Sequence, residues 1–134
     1  MKHYPEKILV AWGEAISGNT EIRDWLMKNN YPELGLFCFA LYFDKKASNW
    51  LLKNAPHLLA TIKGVEGKKE ALIWLEKNGF HLLARVAKAA DEDKNQMKWL
   101  MINDRLFALI AQRIKMIKDD IEEINNDVHR WGYE

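Results

Sequence analysis

Four tryptophans recur at almost constant intervals along this chain of 134 residues. Trp25, Trp50, Trp74 and Trp99 stand 24 or 25 residues apart, and each is followed by leucine and, four positions on, by asparagine. A fixed period of this length indicates a repeat array, in which no unit buries its own apolar face and each must stack on its neighbours. This repeat constrains the fold more than any other feature of the chain.

Each tryptophan lies in a segment with helical periodicity that ends at the recurring asparagine. Capping residues precede these segments: Asn19 or Thr20 in the first unit, Asp44 in the second, and Asp91 or Asp93 in the fourth. Asparagine and glycine tolerate the left-handed backbone conformation that ends a helix. We therefore expect the recurring asparagine to end the first helix of each unit through its backbone.

A second, more apolar segment follows in each unit. Pro32 and Pro56 open two of these segments, which suits the first turn of a helix because proline loses no hydrogen bond there. Residues 34–43, taken alone, have the composition of a buried strand. Their position in the repeat favours a helix instead, because the equivalent segments of the other units have helical periodicity.

The sequence therefore predicts an all-α fold, a short α-solenoid of about four helix pairs with a period of 24–25 residues. Residues 1–134 form a single helical-repeat domain. Residues 5–17 form an N-terminal capping helix, and the repeats occupy about 20–43, 44–66, 67–90 and 94–130. We expect the pairs to present an extended concave surface, as short α-solenoids do.

Composition limits the class of partner. Hydrophobic residues make up 49% of the chain and charged residues 29%, which is typical of a globular protein and excludes disorder. The net charge of +1 gives no global attraction to nucleic acid or an anionic membrane. No apolar stretch reaches the ~20 residues of a membrane span, so we expect no membrane partner and a cytoplasmic location.

A second short motif, His-Leu-Leu-Ala, occurs in both the second and the third unit. Residues 56–60 read Pro-His-Leu-Leu-Ala and residues 80–84 read Phe-His-Leu-Leu-Ala. Across residues 31–110 the pattern resembles ankyrin repeats, whose units run about 33 residues and open with Thr-Pro-Leu-His. The shorter period implies that the helix pairs are kept and the projecting β-hairpins, part of that family's binding surface, are lost. No unit has the Thr-Pro pair, and a helical-hairpin solenoid of another family fits the same pattern.

Lysines also fall in register with the repeat. Five of them lie four to six residues before a tryptophan, at the expected start of successive helices, and we call them the lysine ridge: Lys45, Lys46, Lys68, Lys69 and Lys94. Positive charge at a helix N-terminus opposes the helix dipole at a cost of about 0.3–1 kcal/mol per residue. The recurrence of this unfavourable placement indicates an acidic partner, although a solvated helix edge explains it too. A second series, Lys28, Lys53 and Lys77, lies in the last helical turns, where positive charge is favourable.

Other candidate residues have structural explanations. We expect the tryptophans to form inter-repeat core and the lone Cys38 to be a buried thiol. His57 and His81 are equivalent in the repeat, and adjacent repeats would hold them on the order of 10 Å apart, too far to share a metal ion. The chain has no metal-binding, phosphate-loop or nucleophile motif, so we expect neither catalysis nor a cofactor. A deep pocket joining one of these histidines to a carboxylate would favour an enzyme instead.

The C-terminal segment departs from the repeat. From Ile110 to Trp131 the apolar residues recur at alternating steps of four and three, a heptad seam on a helix from Arg105 to about Arg130. At 1.5 Å per residue this helix is roughly 39 Å long, against about 15 Å for the others, so it must overhang the stack. Its seam needs cover from a second copy, a partner or the N-terminal helix. We expect antiparallel self-association, for which the seam residues are Ile117, Ile121, Ile124 and Val128.

The expected function is that of a non-catalytic protein-interaction module. Its concave face and the lysine ridge would contact a protein partner of acidic character. The alternative is a nucleic-acid-binding helical-repeat protein, in which the lysine ridge, with Arg85 and Lys88 nearby, contacts phosphates. The neutral overall charge counts against this alternative.

Overall fold

A computed structural model describes the backbone of residues 3–132 and the side chains of residues 3–124. This part of the chain contains nine α-helices and no strand, which confirms the all-α class. In chain order the helices are α1 (Glu6–Ile16), α2 (Thr20–Lys28), α3 (Pro32–Leu41), α4 (Lys45–Asn54), α5 (Pro56–Val65), α6 (Lys69–Lys77), α7 (His81–Ala90), α8 (Lys94–Asn103) and α9 (Arg105–Gly132). The helical interpretation is thereby confirmed for residues 34–41, whereas Tyr42 and Phe43 lie in the turn that follows α3.

The helices alternate between an inner and an outer position. Consecutive helices are joined by short turns and contact each other, which makes them antiparallel hairpins. The inner helices α1, α3, α5, α7 and α9 each contact the next inner helix, and the outer helices α2, α4, α6 and α8 each contact the two inner helices beside them. The predicted array of helix pairs is confirmed. In addition α1 contacts α9, so the inner helices close into a ring.

The ring encloses the hydrophobic core of the described residues. Trp12 of α1 is 1% exposed and packs edge-on against Phe37 of α3, with ring centroids 5.0 Å apart. Leu58 of α5 and both Ile110 and Ile114 of α9 are fully buried in the same cluster. The expectation of an open concave contact surface is wrong, because the first helix packs on the last and fills that space.

Leucine, not tryptophan, anchors each outer helix in the core. The leucine that follows each tryptophan is fully buried: Leu26, Leu51, Leu75 and Leu100. Trp25 is 49% exposed, and Trp74 and Trp99 are each 37% exposed. A helix turns by about 100° per residue, so a leucine that points into the ring leaves the preceding tryptophan at the side of the helix. The expectation that the tryptophans form the inter-repeat core is therefore wrong for Trp25, Trp74 and Trp99, whereas Trp50 is half-buried and packs against the core.

Two of the exposed tryptophans instead contact an aromatic or a charged side chain of the inner helix α7 or of the turn before it. The ring of Trp99 lies over the Arg85 guanidinium of α7, 3.8 Å from it. The ring of Trp74 stacks on Phe80 with centroids 5.9 Å apart. Each indole thus adds aromatic or cation–π contact at a site that water still reaches.

The recurring asparagine closes each outer helix through its side chain. In every unit its Nδ2 donates to the carbonyl oxygen of the tryptophan four residues earlier, at 2.8–2.9 Å. Asn29 and Asn78 have φ of −118° and −99°, so the expected left-handed conformation is wrong for them. The next residues adopt it instead: Asn30 has φ 74° and Gly79 has φ 82°. The fixed spacing from tryptophan to asparagine therefore reflects a side-chain hydrogen bond.

This cap gives a direct stability prediction. Asn54→Asp should lower the free energy of unfolding by about 1–2 kcal/mol, because aspartate cannot donate and adds negative charge at a helix C-terminus. Urea denaturation at pH 7 measures the change. Asn49→Asp makes the same substitution earlier in α4 and should change stability by less than about 0.5 kcal/mol. An equal loss in the two variants would contradict the capping role.

Caps at the helix N-termini decide between the alternatives that the sequence left open. Asn19 rather than Thr20 caps α2, Asp44 caps α4, and Asp93 rather than Asp91 caps α8. Each side-chain oxygen accepts a hydrogen bond from the backbone N–H three residues later, at 3.1, 2.9 and 3.2 Å respectively. These bonds satisfy donors that the first turn of a helix leaves without partners.

Candidate functional site

The candidate site lies at one end of the ring, which we call the loop end. Here the turns 17–19, 42–44, 66–68 and 91–93 connect inner helices to the outer helices that follow them. Helix α9 passes this end, since Lys118 pairs with Asp91 and the Lys115 Nζ lies 3.8 Å from an oxygen of Glu92. Residues 119–132 of α9 therefore extend past the loop turns for about 20 Å at 1.5 Å per residue, with Ile121 and Glu122 still beside the ends of α3 and α5.

An apolar pocket of about 240 Å³ opens at the loop end, between the ends of α3 and α5 and the side of α9. Its apolar lining consists of Leu41, Phe43, Ile62, Val65, Ile114, Ile117 and Ile121. Glu66, Lys118 and Glu122 complete the lining. Phe43 is 62% exposed and the adjacent Tyr42 is 59% exposed. The loop end thus presents aromatic surface beside a pocket that an apolar side chain can enter.

The lysine ridge lies at this same end. Its residues stand at the start of α4, α6 and α8, where all five are exposed and none takes part in an ion pair with another described residue. Lys45 lines a second groove of about 230 Å³ that shares Phe43, Ile62 and Glu66 with the apolar pocket. Unpaired positive charge and exposed apolar surface therefore adjoin each other.

Charge is divided unevenly across the loop end. The starts of α4 and α6 are basic, whereas the turn 91–93 and the projecting part of α9 are acidic. Lys94 belongs to the acidic side, because it lines a groove together with Glu92 and Asp93. The side of the ridge that attracts an acidic group is therefore formed by Lys45, Lys46, Lys68 and Lys69.

The heptad seam of α9 is largely covered by the chain itself. Ile117 is only 7% exposed, because the inner helices pack over this face of α9. It is therefore not available to a second copy, and this part of the self-association hypothesis is wrong. Ile121 is half-buried in the wall of the apolar pocket, and Ile124 is 62% exposed. Val128 lies outside the residues whose side chains the structure describes.

A buried polar pair at the opposite end of the ring matches none of the sequence patterns above. The Tyr4 hydroxyl donates to Glu33 Oε2 at 2.7 Å, and Glu33 is 8% exposed. Burial, and next the hydrogen bond to Glu33, raise the pKa of Tyr4. An acidic residue in the first turn of a helix is ordinary, so the sequence did not distinguish Glu33 from the exposed glutamates. The pair ties the segment before α1 to α3.

The histidines and the cysteine do not combine into a reactive site. His57 stacks on Phe80 with ring centroids 4.9 Å apart, and burial lowers its pKa. His81 Nδ1 lies 2.5 Å from Glu76 Oε2. Burial raises the pKa of Cys38 to about 12, so its thiol stays protonated at neutral pH. Among the described residues, no group of three histidine, cysteine or acidic side chains is placed to hold a metal ion.

No protein-family model, curated protein or solved structure matches this chain. The resemblance to ankyrin repeats therefore stays a prediction from the sequence. None of the helices, as far as the structure describes them, is both long and apolar enough to cross a membrane. Any functional conclusion has to come from the geometry and charge of the loop end.

Proposed function

We propose that the chain is a non-catalytic protein-interaction module that binds an acidic, partly apolar segment of a partner protein at the loop end. The observation that carries the proposal is the position of the unpaired lysine ridge beside an apolar pocket with exposed aromatic residues. A cytoplasmic location, expected from the sequence alone, belongs to the same proposal.

The chemistry of the loop end defines the partner segment. Lysines at the starts of α4 and α6 favour carboxylates, and binding of an acidic group would relieve the unfavourable interaction of each lysine with the dipole of its own helix. The pocket favours one apolar side chain, and Tyr42 and Phe43 offer the aromatic surface that dominates many protein interfaces. An amphipathic segment with carboxylates on one face and leucine or phenylalanine on the other meets both requirements.

Charge removal tests the proposal. The probe is a set of labelled helical peptides with glutamate on one face and leucine or phenylalanine on the other, measured by fluorescence anisotropy. Replacing all five residues of the lysine ridge by glutamine should weaken binding by about tenfold or more and flatten its salt dependence. The control replaces Lys28, Lys53 and Lys77, which lie in the last turns of α2, α4 and α6, at the end of the ring opposite the lysine ridge. This control should bind as the unmodified chain does.

An equal loss of affinity in the control would contradict the proposal, because binding would then follow net charge alone.

The nucleic-acid alternative is tested by titrating duplex and single-stranded oligonucleotides at low salt. If the lysine ridge binds phosphates, the ridge variant should flatten the slope of log affinity against log salt by nearly one unit for each phosphate that it no longer neutralises. Arg85 is a poor candidate for such a role, since it is half-buried under Trp99 and donates to Gln96 Oε1 at 2.8 Å.

A further inference from the structure

One junction of the ring has no outer helix over it. Helix α2 covers the junction of α1 and α3, α4 that of α3 and α5, α6 that of α5 and α7, and α8 that of α7 and α9. In the described part of the chain, no outer helix covers the junction between α9 and α1. The outer faces of these two helices are left to solvent where every other pair of neighbouring inner helices is covered.

Glycines show the difference between a covered junction and this one. A Cβ added to Gly64 of α5 would come within 2.9 Å of Leu72 of α6, so this glycine makes room for a side chain of the outer helix. A Cβ added to Gly13 of α1 would meet only Leu109 of α9, at 3.9 Å. Gly13 is buried, but the nearest side chain to it belongs to α9 and not to an outer helix.

A groove of about 450 Å³ lies on α9 beside this junction, and it is lined by residues of α9 and by Met101 of α8, not by residues of α1. Its lining residues are Met101, Arg105, Leu106, Ala108, Leu109 and Gln112. On α1, Val10, Gly13 and Ser17 lie on one stripe at steps of three and four residues. Val10 is 43% exposed, and Ser17 Oγ accepts a hydrogen bond from Arg113 of α9 at 2.7 Å. We call this surface the α9–α1 groove.

The outer face of α9 carries a stripe whose charge changes sign along the helix. Its members follow each other at steps of three and four residues: Leu109, Arg113, Met116, Asp120 and Ile124. Met116 is 59% exposed and Ile124 is 62% exposed, which leaves large apolar side chains in water. The half of the stripe within the ring is basic and apolar, and the half that projects beyond the loop end is acidic and apolar.

We propose that two copies of the chain pair through α9 in an antiparallel, two-fold arrangement, with the projecting half of each α9 lying in the α9–α1 groove of the other. A two-fold axis near residues 116 and 117 sets Leu109 opposite Ile124 and Arg113 opposite Asp120, and each pair forms twice. The pairing buries Ile124 against apolar surface and places the acidic half of one stripe on the basic half of the other.

The dimensions of the chain agree with this pairing. The projecting part of α9 is about 20 Å long, whereas the outer helices that cover the other junctions have nine or ten residues and are about 15 Å long. One projecting half is thus long enough to serve as the missing outer helix. The α9–α1 groove is a different face from the loop end, so this proposal goes beyond the proposed function and does not depend on it.

The test reverses the charges that meet in this register. Asp120→Arg should weaken self-association of the full chain by about tenfold or more, because two like-charged pairs then face each other in every dimer. Arg113→Asp should do the same. Sedimentation equilibrium at micromolar concentrations measures the dissociation constant, and circular dichroism reports the fold. Asp120 is exposed, so its substitution keeps the test independent of folding.

A mixture of the two variants provides the decisive measurement. In a mixed pair each introduced charge meets an opposite charge, so the mixture should sediment as a dimer under conditions where each variant alone is a monomer. Glu122→Arg is the matched control, because Glu122 lines the loop-end pocket on another face of α9. The control should keep the dissociation constant within about twofold of the unmodified chain.

Three results would overturn the proposal. The first is a monomer at high micromolar concentration for the unmodified chain. The second is a dimer that Glu122→Arg dissociates as strongly as Asp120→Arg, since association would then use the loop end. The third is a mixture of the two variants that stays monomeric, which would exclude the antiparallel register even if each substitution alone weakened association.

Discussion

Leu75→Ala should lower the free energy of unfolding by about 3–5 kcal/mol, whereas Trp74→Ala, one residue earlier, should cost only about 1–2 kcal/mol. Leu75 is fully buried between α6 and the ring, and its truncation leaves a cavity that the surrounding helices cannot close. Trp74 is 37% exposed, and its truncation mainly removes the stacking on Phe80. Urea denaturation followed by far-ultraviolet circular dichroism measures both changes.

The pair Leu51→Ala and Trp50→Ala repeats the comparison in another unit and serves as its control. Leu51 is fully buried and Trp50 is half-buried, so the leucine substitution should again be the more damaging one. If the tryptophan substitution cost more in both units, the outer helices would be held by their indole rings. The repeated tryptophan would then be the core residue that the sequence pattern suggests.

Helix pairs could be predicted from the sequence, because the repeat combines several local signals that agree. Period, capping residues and prolines each indicate the same helix boundaries. The choice between tryptophan and leucine could not be predicted in this way. Two adjacent apolar residues lie about 100° apart on a helix, and the exact rotation of the helix decides which one enters the core. That rotation is set by tertiary packing.

Ring closure could not be predicted from the repeat either. A period indicates that units stack, but the curvature of the stack depends on small rotations that accumulate from one unit to the next. Helix α1 lacks the repeated phrase, so the sequence predicts that it caps one end of the array. Its packing on α9 joins positions far apart in sequence, as the hydrogen bond from Arg113 to Ser17 shows. No local pattern indicates such a pairing.

The candidate site was predicted in part. The lysine ridge follows the repeat, so its residues were found from spacing alone, and the structure places them at one end of the ring. The apolar pocket was not found, because the ends of α3 and α5 and the middle of α9 form it together. The uncovered junction was missed for the same reason, since it exists only once α9 packs on α1.

Trp12→Ala should lower the free energy of unfolding by about 3–5 kcal/mol and loosen α9 as well as α1. Trp12 is 1% exposed and joins α1 to Phe37 in the interior of the ring. Because α1 packs on α9 as well as on α2 and α3, loss of this side chain weakens the closure itself. Hydrogen exchange should then show faster exchange of backbone amides in α9 than in α5, which is not a neighbour of α1 in the ring.

Trp12→Phe distinguishes the contribution of the aromatic ring to stability from that of the buried indole N–H. The indole N–H of Trp12 is buried and has no hydrogen-bond acceptor among the described residues, so removing it relieves an unsatisfied donor while an aromatic ring is kept. This variant should cost about 1 kcal/mol or less and leave the exchange of α9 unchanged. In an open solenoid the two ends would be independent, and Trp12→Ala would accelerate exchange only in α1 and its immediate neighbours α2 and α3. Unchanged protection of α9 in Trp12→Ala would therefore contradict a ring that closes through α1.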